Sequence, residues 1–371
     1  MRSVSTACLV IVRHRRRVAR AALAVACLLS MSCRQTSGQP DDRAAPSRNR
    51  PPTDPPPPGR LVDVGGYHLH LNCRGAGTPV VVLLPGSGDF SLDWSLVQPD
   101  VARSARVCSY DRAGSAWSDP GPTPRTMRQE AHELRAMLRA ASEATPYVLV
   151  GHSVGGLVAR TYAAAYAADV AGMVLVDATH ESTQLSYQGR VVRVRESASA
   201  RAVPPVQTIR SSPPKPPTEA DLAQQRMNRD VFGPPAISPP FDRLPPEAQA
   251  LRLWALGRPP RAAAGEDYWA EELRDMHLAR QLDANPLDSL PLEVLAAGAM
   301  PAPPQGVSAD AWQALYDEKR AQRADLATLS AVGRLVTVEG SGHHIHIDAP
   351  AAVVESIRRV LADTRRGPAR R

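Results

Sequence analysis

Short apolar runs alternate with amphipathic stretches along most of the chain. Residues 80–84 are apolar throughout, and further short runs rich in apolar residues follow at 106–110, 147–150, 172–176, 292–297 and 335–339. Such runs, bounded by turn residues, are typical of strands that are buried on both faces of a sheet. Residues 126–144 place apolar positions at helical spacing, and a closing helix is expected at 351–363. The pattern predicts an α/β fold, with a mostly parallel sheet and helices on both faces.

The alternation stops between residues 181 and 289. This stretch is rich in proline and charged residues and has only scattered helical pieces, with a helix start at 218–221 and helices at 247–256 and 268–276. An irregular segment of this length is usually functional or a subdomain of its own. We therefore predict a cap or lid over 181–289, inserted between the core segments 61–180 and 290–364.

The first sixty residues differ in composition from the core. Five arginines between positions 13 and 20 precede a short apolar stretch at 21–29, and Ser30-Met31-Ser32-Cys33 follows. This predicts an export signal over 1–33, similar to a bacterial lipoprotein signal in which Cys33 is lipidated and tethers the chain to a membrane. Cleavage near Cys27 and an uncleaved anchor are the alternatives. Residues 34–60 are predicted to be a disordered, proline-rich tether, and the expected location is the bacterial cell envelope or the exterior.

The placement of charge argues against a nucleic-acid partner. The net charge is +7, but residues 1–60 carry +8 and residues 358–371 carry +5, so the body between them carries −6. A groove that binds phosphates should be basic and should lie within the fold. Residues 365–371 are expected to form a basic, solvated tail.

The most informative short motif is Gly151-His152-Ser153-Val154-Gly155. It follows the run at 147–150 and precedes a stretch with a helical pattern. Strand, sharp turn and helix are the context of a nucleophile elbow, in which a serine hydroxyl stands clear at the C-terminal edge of a sheet. The two glycines provide the small residues that a strained serine needs beside it. A helix-initiating Gly-Ser turn without a function is the alternative.

Four motifs together resemble the α/β-hydrolases, in the branch with a helical cap that contains esterase-, perhydrolase- and epoxide-hydrolase-like sequences. In chain order they are Pro85-Gly86-Ser87-Gly88, residues 110–119, the elbow motif, and Ser341-Gly342-His343. The resemblance covers residues 61–364 and is interrupted by the predicted cap. It implies a nucleophilic serine, an orienting acid and a histidine base, in that order along the chain.

Ser153 is the predicted nucleophile and His343 the predicted base. The acid is less evident, because many relatives carry it after the strand that corresponds to 292–297, where this chain has no carboxylate. Asp177, which directly follows the run at 172–176, is our first choice, and Asp310 is the second. The resemblance also implies an oxyanion hole formed by the backbone N–H groups of Ser87 and Val154.

Other polar residues in these motifs are expected to have supporting roles. Asp111 and Arg112 are predicted to fix loop structure, and His152 to line the pocket or pack under the sheet. The run His343-His344-x-His346 could suggest a metal ion, but no further cysteine, histidine or carboxylate spacing supports one. We predict no metal and no cofactor.

A serine nucleophile narrows the reaction to acyl transfer. An aspartate at position 153 would have favoured epoxide or haloalkane hydrolysis, whereas serine favours hydrolysis of a small-molecule ester through an acyl-enzyme intermediate. The alternative is a non-catalytic member of the fold that binds a small ligand.

Cys73 and Cys108, both near predicted strand ends, could form a disulfide in an oxidising compartment or remain two buried thiols.

Overall fold

A sheet of eight strands forms the centre of the protein. The computed structural model describes residues 54–187, 190–207, 234–258, 268–303 and 306–366, together with residues 219 and 223. The strands of the main sheet are β1 Arg60–Asp63, β2 His68–Arg74, β3 Val80–Leu84, β4 Val107–Tyr110, β5 Tyr147–His152, β6 Val170–Val176, β9 Leu292–Ala297 and β10 Arg334–Val338. Their order across the sheet is β1-β2-β4-β3-β5-β6-β9-β10. β1 and β2 are antiparallel, as are β2 and β4, and every other neighbouring pair is parallel.

Helices cover both faces of this sheet. They are α1 Gln98–Ala102, α2 Met127–Ala140, α3 Val154–Ala165, α4 Pro246–Leu256, α5 Trp269–Leu282, α6 Ala309–Ala327, α7 Ile345–Asp348 and α8 Pro350–Arg366. Val80, Val82 and Leu84 of β3 join a core cluster with residues of α2, α3 and α6. Val81 and Leu83 join a second cluster with residues of α1 and α8. Alternate residues of one strand thus enter different cores, which explains why its sequence is apolar throughout.

The predicted α/β architecture is confirmed, and several of its elements were not predicted. β1 was not recognised as a strand, because Arg60 was placed at the end of the tether and residues 61–63 at the start of the first core segment. The helix α6 was not recognised either. The buried side chains of α6 include Gln322 and Arg323 beside Leu315, Leu326 and Ala327, so the helix has no clean apolar stripe. At the C-terminus α8 runs to Arg366, two residues into the segment predicted to be a solvated tail.

An insertion of mixed structure connects β6 to β9. It contains a separate hairpin of β7 Gln184–Tyr187 and β8 Arg190–Arg193, and the helices α4 and α5. Phe241, Leu244 and Ala248 pack with Ile347 of α7, while Leu273 of α5 packs with Leu157 of α3. The insertion therefore packs against the core at two separate places.

A buried ion pair fastens the insertion to the core. Arg252 of α4 pairs with Asp93 in a short 3-10 helix at Ser91–Trp94, and both side chains are almost fully buried. Further contacts support the pair: the Phe90 amide donates to Asp93 Oδ2 at 2.9 Å, and the Arg252 guanidinium lies 3.5 Å from the centroid of the Phe241 ring. Burial raises the pKa of Asp93 to about 7 even though Arg252 opposes the shift. Asp93 therefore depends on its partner to remain ionised.

Cys73 and Cys108 form a disulfide between neighbouring antiparallel strands, where the two residues lie directly opposite each other. The bond links two residues that are 35 positions apart in the sequence. Of the two alternatives for these cysteines, the structure has the disulfide.

The predicted export signal and nearly all of the tether lie outside the described residues. No helix within the described ranges combines the length and the apolar character that a membrane crossing requires.

Removal of Arg252 is expected to be strongly destabilising. In Arg252→Met the buried Asp93 carboxyl would lose its counter-charge and would have to take up a proton, and loss of one partner of a buried ion pair costs about 3–5 kcal/mol of unfolding free energy. The double variant Asp93→Asn/Arg252→Met should recover much of this loss, because a neutral amide replaces the carboxyl and no proton has to be taken up. Urea denaturation would measure both effects.

The pair between the exposed Arg243 and the half-buried Asp348, at 3.2 Å, provides the control. Arg243→Met should change the unfolding free energy by no more than about 1 kcal/mol. Equal losses in the two arginine variants would contradict this account of the buried pair.

Candidate active site

Ser153 occupies a strained turn between β5 and α3. Its backbone has φ 51° and ψ −122°, a combination that L-residues rarely adopt. A Cβ on Gly151 would lie 2.6 Å from the Gly155 carbonyl oxygen and from the Cα of Gly156, so only glycine fits there. The turn therefore has the steric properties that the sequence motif predicted for a nucleophile elbow.

Parallel pairing puts Asp177 next to Ser153. His152, the last residue of β5, pairs with Val176, the last residue of β6, so Ser153 and Asp177 follow adjacent strand ends. The Ser153 amide donates to the Val176 carbonyl at 3.2 Å, and the Thr179 amide donates to the Ser153 carbonyl at 2.9 Å. Asp177 also has a positive φ, of 39°, which turns the chain sharply after β6.

His343 contacts Asp177, although the two residues are far apart in the sequence. It lies on the loop after β10, where Gly340 has a φ of 73° that glycine adopts without strain. His343 Nδ1 is 2.6 Å from Asp177 Oδ2. Because a carboxylate only accepts, Nδ1 carries the hydrogen and Nε2 has the free lone pair that a general base requires.

Asp177 is held by two further donors. Arg323 Nε donates to Asp177 Oδ1 at 3.0 Å, and the Ala297 amide donates to the same oxygen at 3.3 Å. Burial raises the pKa of Asp177, but the Arg323 guanidinium and the His343 hydrogen bond outweigh burial, so the net pKa lies well below the usual value. Arg323 was missed in the sequence because it belongs to the unrecognised helix α6.

The second choice for the acid lies elsewhere. Asp310 is exposed in the first turn of α6, next to the N-cap residue Ser308. An acidic residue at that position is favourable for the helix dipole. The structure brings Asp177, and not Asp310, into contact with His343.

His343 is accessible on one side while its ring is packed among other imidazoles. About 46% of its side-chain surface reaches solvent, and its ring centroid lies 4.7 Å from that of His152. Desolvation lowers the pKa of His343, the hydrogen bond with Asp177 opposes this, and the His152 ring lowers the pKa further. Among the described residues, the Ser153 hydroxyl makes no hydrogen bond to His343, and such contacts are often loose in a ligand-free site.

Two backbone amides near the serine have no hydrogen-bond acceptor among the described residues. Within the described ranges, no protein group accepts a hydrogen bond from the amide of Ser87 or of Val154. The turn that carries Ser87 is tightly packed, because a Cβ on Gly86 would lie 2.8 Å from His152 Nδ1 and 3.1 Å from the Ser153 Cβ. Arg112 Nη2 donates to the Gly86 carbonyl at 2.6 Å, as expected for a residue that fixes loop structure.

Asp89 lies beneath this turn and was missed in the sequence. Its Oδ2 atom is 2.7 Å from His152 Nδ1 and accepts from the Gly86 amide at 3.2 Å. His152 Nε2 is 3.0 Å from the His343 carbonyl. Asp89, His152 and His346 are the residues here that could together hold a metal ion, since each brings one ligand atom to within 4.8 Å of the others. In this structure the first two satisfy each other directly.

A profile of the alpha/beta hydrolase family matches residues 81–356, which include every residue of this site. The chain belongs to the alpha/beta hydrolase family. The match spans both core segments and the insertion between them, so the resemblance expected from the four motifs is confirmed at the level of the family and the fold.

The matches to individual known proteins are shorter or more distant. A protein named probable transporter efuK, from Hormonema carpetanum, is 34% identical over 131 residues, which are 33% of this chain and 19% of that protein. This alpha/beta hydrolase chain thus spans about a fifth of that relative's length. The structure of an enol-lactonase from Burkholderia xenovorans LB400 is 17% identical, with a TM-score of 0.53, and the match covers 82% of this chain and 100% of the other.

A thermophilic esterase from Thermogutta terrifontis is 22% identical with a TM-score of 0.50, and the match covers 80% of this chain and 94% of the other. At such identities the alpha/beta hydrolase fold is what these structures share with this chain.

Asp177→Asn tests which carboxylate orients His343. The amide keeps the shape of the side chain but can donate to Nδ1, which favours the wrong tautomer, so turnover of a p-nitrophenyl ester should fall by about 10³–10⁴-fold. The matched control Asp310→Asn should leave turnover unchanged. A larger loss in the Asp310 variant than in the Asp177 variant would contradict this assignment.

Proposed function

We propose that this alpha/beta hydrolase is an exported serine hydrolase that cleaves carboxylic esters of small molecules through an acyl-enzyme. The observation that carries the proposal is the 2.6 Å contact between His343 Nδ1 and Asp177 Oδ2, at the sheet edge where the strained turn presents Ser153. A serine hydroxyl is a weak nucleophile without a base, and this contact gives the base its orientation and tautomer.

The first half of the reaction forms the acyl-enzyme. His343 Nε2 takes the proton of the Ser153 hydroxyl as Oγ attacks the ester carbonyl carbon. The resulting oxyanion accepts hydrogen bonds from the amides of Ser87 and Val154, which have no other acceptor among the described residues. The protonated His343 then gives its proton to the departing alcohol, and the serine ester remains.

Hydrolysis of the acyl-enzyme uses the same groups again. Water replaces the alcohol, His343 takes a proton from it, and the hydroxide attacks the acyl carbon. Collapse of the second oxyanion returns the proton to Ser153 and releases the carboxylic acid. The Asp177 carboxylate stays ionised throughout and stabilises the imidazolium that forms twice in each cycle.

The insertion is proposed to be a lid that shapes the substrate site. Phe241 packs edge-on against the His344 ring, with 4.7 Å between the ring centroids, and Arg252 anchors α4 beside the turn at residues 85–90. Both contacts lie next to the proposed base or the proposed oxyanion donors. A lid in this position would exclude water from the acyl-enzyme and select among acyl groups.

Labelling with a fluorophosphonate probe tests the nucleophile. The full chain should become covalently labelled, Ser153→Ala should not, and Ser87→Ala should still label because Ser87 contributes its amide. A panel of p-nitrophenyl esters of increasing acyl length would then define the size of the substrate. Folded protein that neither labels nor hydrolyses any ester would favour a non-catalytic, ligand-binding member of the family.

Export is supported by the disulfide, because such bonds persist mainly in oxidising compartments. When the full chain is expressed in a bacterium, we expect it in the membrane fraction with Cys73 and Cys108 oxidised. Cys33→Ser should move it to the soluble periplasmic fraction, and Cys27→Ser should leave it in place. Cytoplasmic protein with two free thiols would contradict the export proposal and leave the ester chemistry untouched.

A further inference from the structure

One face of helix α6 carries a row of large side chains that starts at the proposed acid. Spaced four, three and four residues apart, and therefore on the same side of the helix, the members of this row are Trp312, Tyr316, Lys319 and Arg323. Arg323 donates to Asp177 Oδ1 at 3.0 Å and to the Asp177 carbonyl at 3.4 Å. The row therefore extends from Asp177 toward the N-terminus of α6.

The other end of the row is connected to the loop of the proposed base. Trp312 Nε1 donates to the Pro301 carbonyl at 2.7 Å. In the same connection between β9 and α6, the Ala299 amide donates to the carbonyl of Ser341, two residues before His343, at 2.9 Å. The row thus borders the site on the side of the acid and the base.

The Lys319 ammonium group packs against two aromatic rings of this row. Its Nζ lies 4.8 Å from the centroid of the Tyr316 ring and 6.0 Å from that of the Trp312 ring. The two ring centroids are 5.0 Å apart, and all three side chains are half-buried. Aromatic faces attract a cation but do not neutralise its charge.

The acidic groups near Lys319 are already paired with arginines. The pairs are Asp177 with Arg323 at 3.0 Å, Glu318 with Arg193 at 2.6 Å, and Asp317 with Arg320 at 3.0 Å. Burial and the Arg323 charge lower the pKa of Lys319, while the Asp177 charge raises it. In the part of the chain that the structure describes, no carboxylate forms an ion pair with Lys319 itself. A positive charge without an ionic partner therefore lies within electrostatic reach of Asp177.

We propose that Lys319, together with the rings of Tyr316 and Trp312, forms a subsite that binds a carboxylate on the substrate. The substrate class is then an ester that also carries a free carboxylate, such as a half-ester of a dicarboxylic acid. The ammonium group donates charge-assisted hydrogen bonds to the carboxylate, and the rings provide an apolar wall for the hydrocarbon that joins it to the ester. This inference rests on the proposed function, with Ser153 as the nucleophile.

Matched esters with and without the free carboxylate test the subsite. The first pair is mono-p-nitrophenyl adipate and its methyl ester, which differ in charge on the acyl side of the scissile bond. The second pair is carboxyphenyl hexanoate and its methyl ester, which differ in charge on the alcohol side. The quantity to compare is the kcat/KM of each acid divided by that of its methyl ester, because a general loss of activity cancels in this ratio.

Lys319→Met should lower this ratio for at least one pair by about tenfold, since methionine keeps most of the apolar stem and loses the donors. Lys319→Arg keeps a positive charge and should retain most of the ratio. A lysine that only covers the two rings would leave the ratio unchanged in Lys319→Met, and that result for both pairs would overturn the proposal.

The neighbouring Arg320 provides a matched control. It is exposed and pairs with Asp317. Arg320→Met removes the same charge one position along the chain, and both ratios should stay within about twofold of those of the unaltered protein. An equal fall in Arg320→Met and Lys319→Met would reduce the effect to overall charge and contradict a subsite at Lys319.

A binding measurement separates this inference from the proposed function, because it needs neither turnover nor a variant. The chain has two lysines, Lys215 and Lys319, so mass spectrometry can follow the acetylation of each by acetic anhydride. Adipate should protect Lys319, relative to Lys215, and the neutral diol of the same chain length should not. Equal acetylation of Lys319 with both additives would overturn the subsite alone. Failure of the proposed function would instead appear as an absence of Ser153 labelling and of ester turnover.

Discussion

The hydrogen bond between Asp177 and His343 is the contact on which the proposed chemistry depends. It joins two residues that are 166 positions apart in the chain, at a distance of 2.6 Å. Such a contact requires that β6 and β10 end at the same edge of the sheet, because Asp177 follows β6 and His343 lies on the loop after β10. Parallel pairing of β5, β6, β9 and β10 provides that edge. Ser153 reaches the same edge through a backbone conformation that costs free energy, and the packed sheet on both sides supplies the stability that holds it there.

The buried charged groups around this contact are paired with one another. Arg323 keeps Asp177 ionised, and the His152 ring, which is 2.7 Å from Asp89 Oδ2, contacts the main-chain carbonyl of His343. Asp93 and Arg252 connect the insertion to the turn that carries the proposed oxyanion donors. Each of these buried charges has a partner, as burial in a medium of low polarity requires. A site assembled in this way needs little rearrangement when charge develops on a substrate.

Much of this arrangement could be predicted from the sequence, because local patterns encode it. The apolar strands at 80–84, 147–150 and 172–176 and the elbow motif have the spacing that a parallel sheet and a sharp turn require. Asp177 could be proposed because it directly follows the strand at 172–176, a position at which some relatives in the resembled family carry the acid. These features depend on residues that are close together in the chain.

The supporting residues could not be predicted, because their roles depend on contacts between distant segments. Asp89 is 63 residues away from His152, and Arg323 is 146 residues away from Asp177. Arg323 also lies on α6, whose buried face is partly polar and therefore has no apolar periodicity. The choice between Asp177 and Asp310 likewise needed the fold, since both are acidic residues that lie between Ser153 and His343 in the chain.

Detection of the covalent intermediate tests the central claim most directly. After rapid mixing of the full chain with a p-nitrophenyl ester and an acid quench, mass spectrometry should find the acyl group on the peptide that contains Ser153. The adduct should form far more slowly in His343→Ala. Ester hydrolysis without an adduct, or with the acyl group on another residue, would contradict the account.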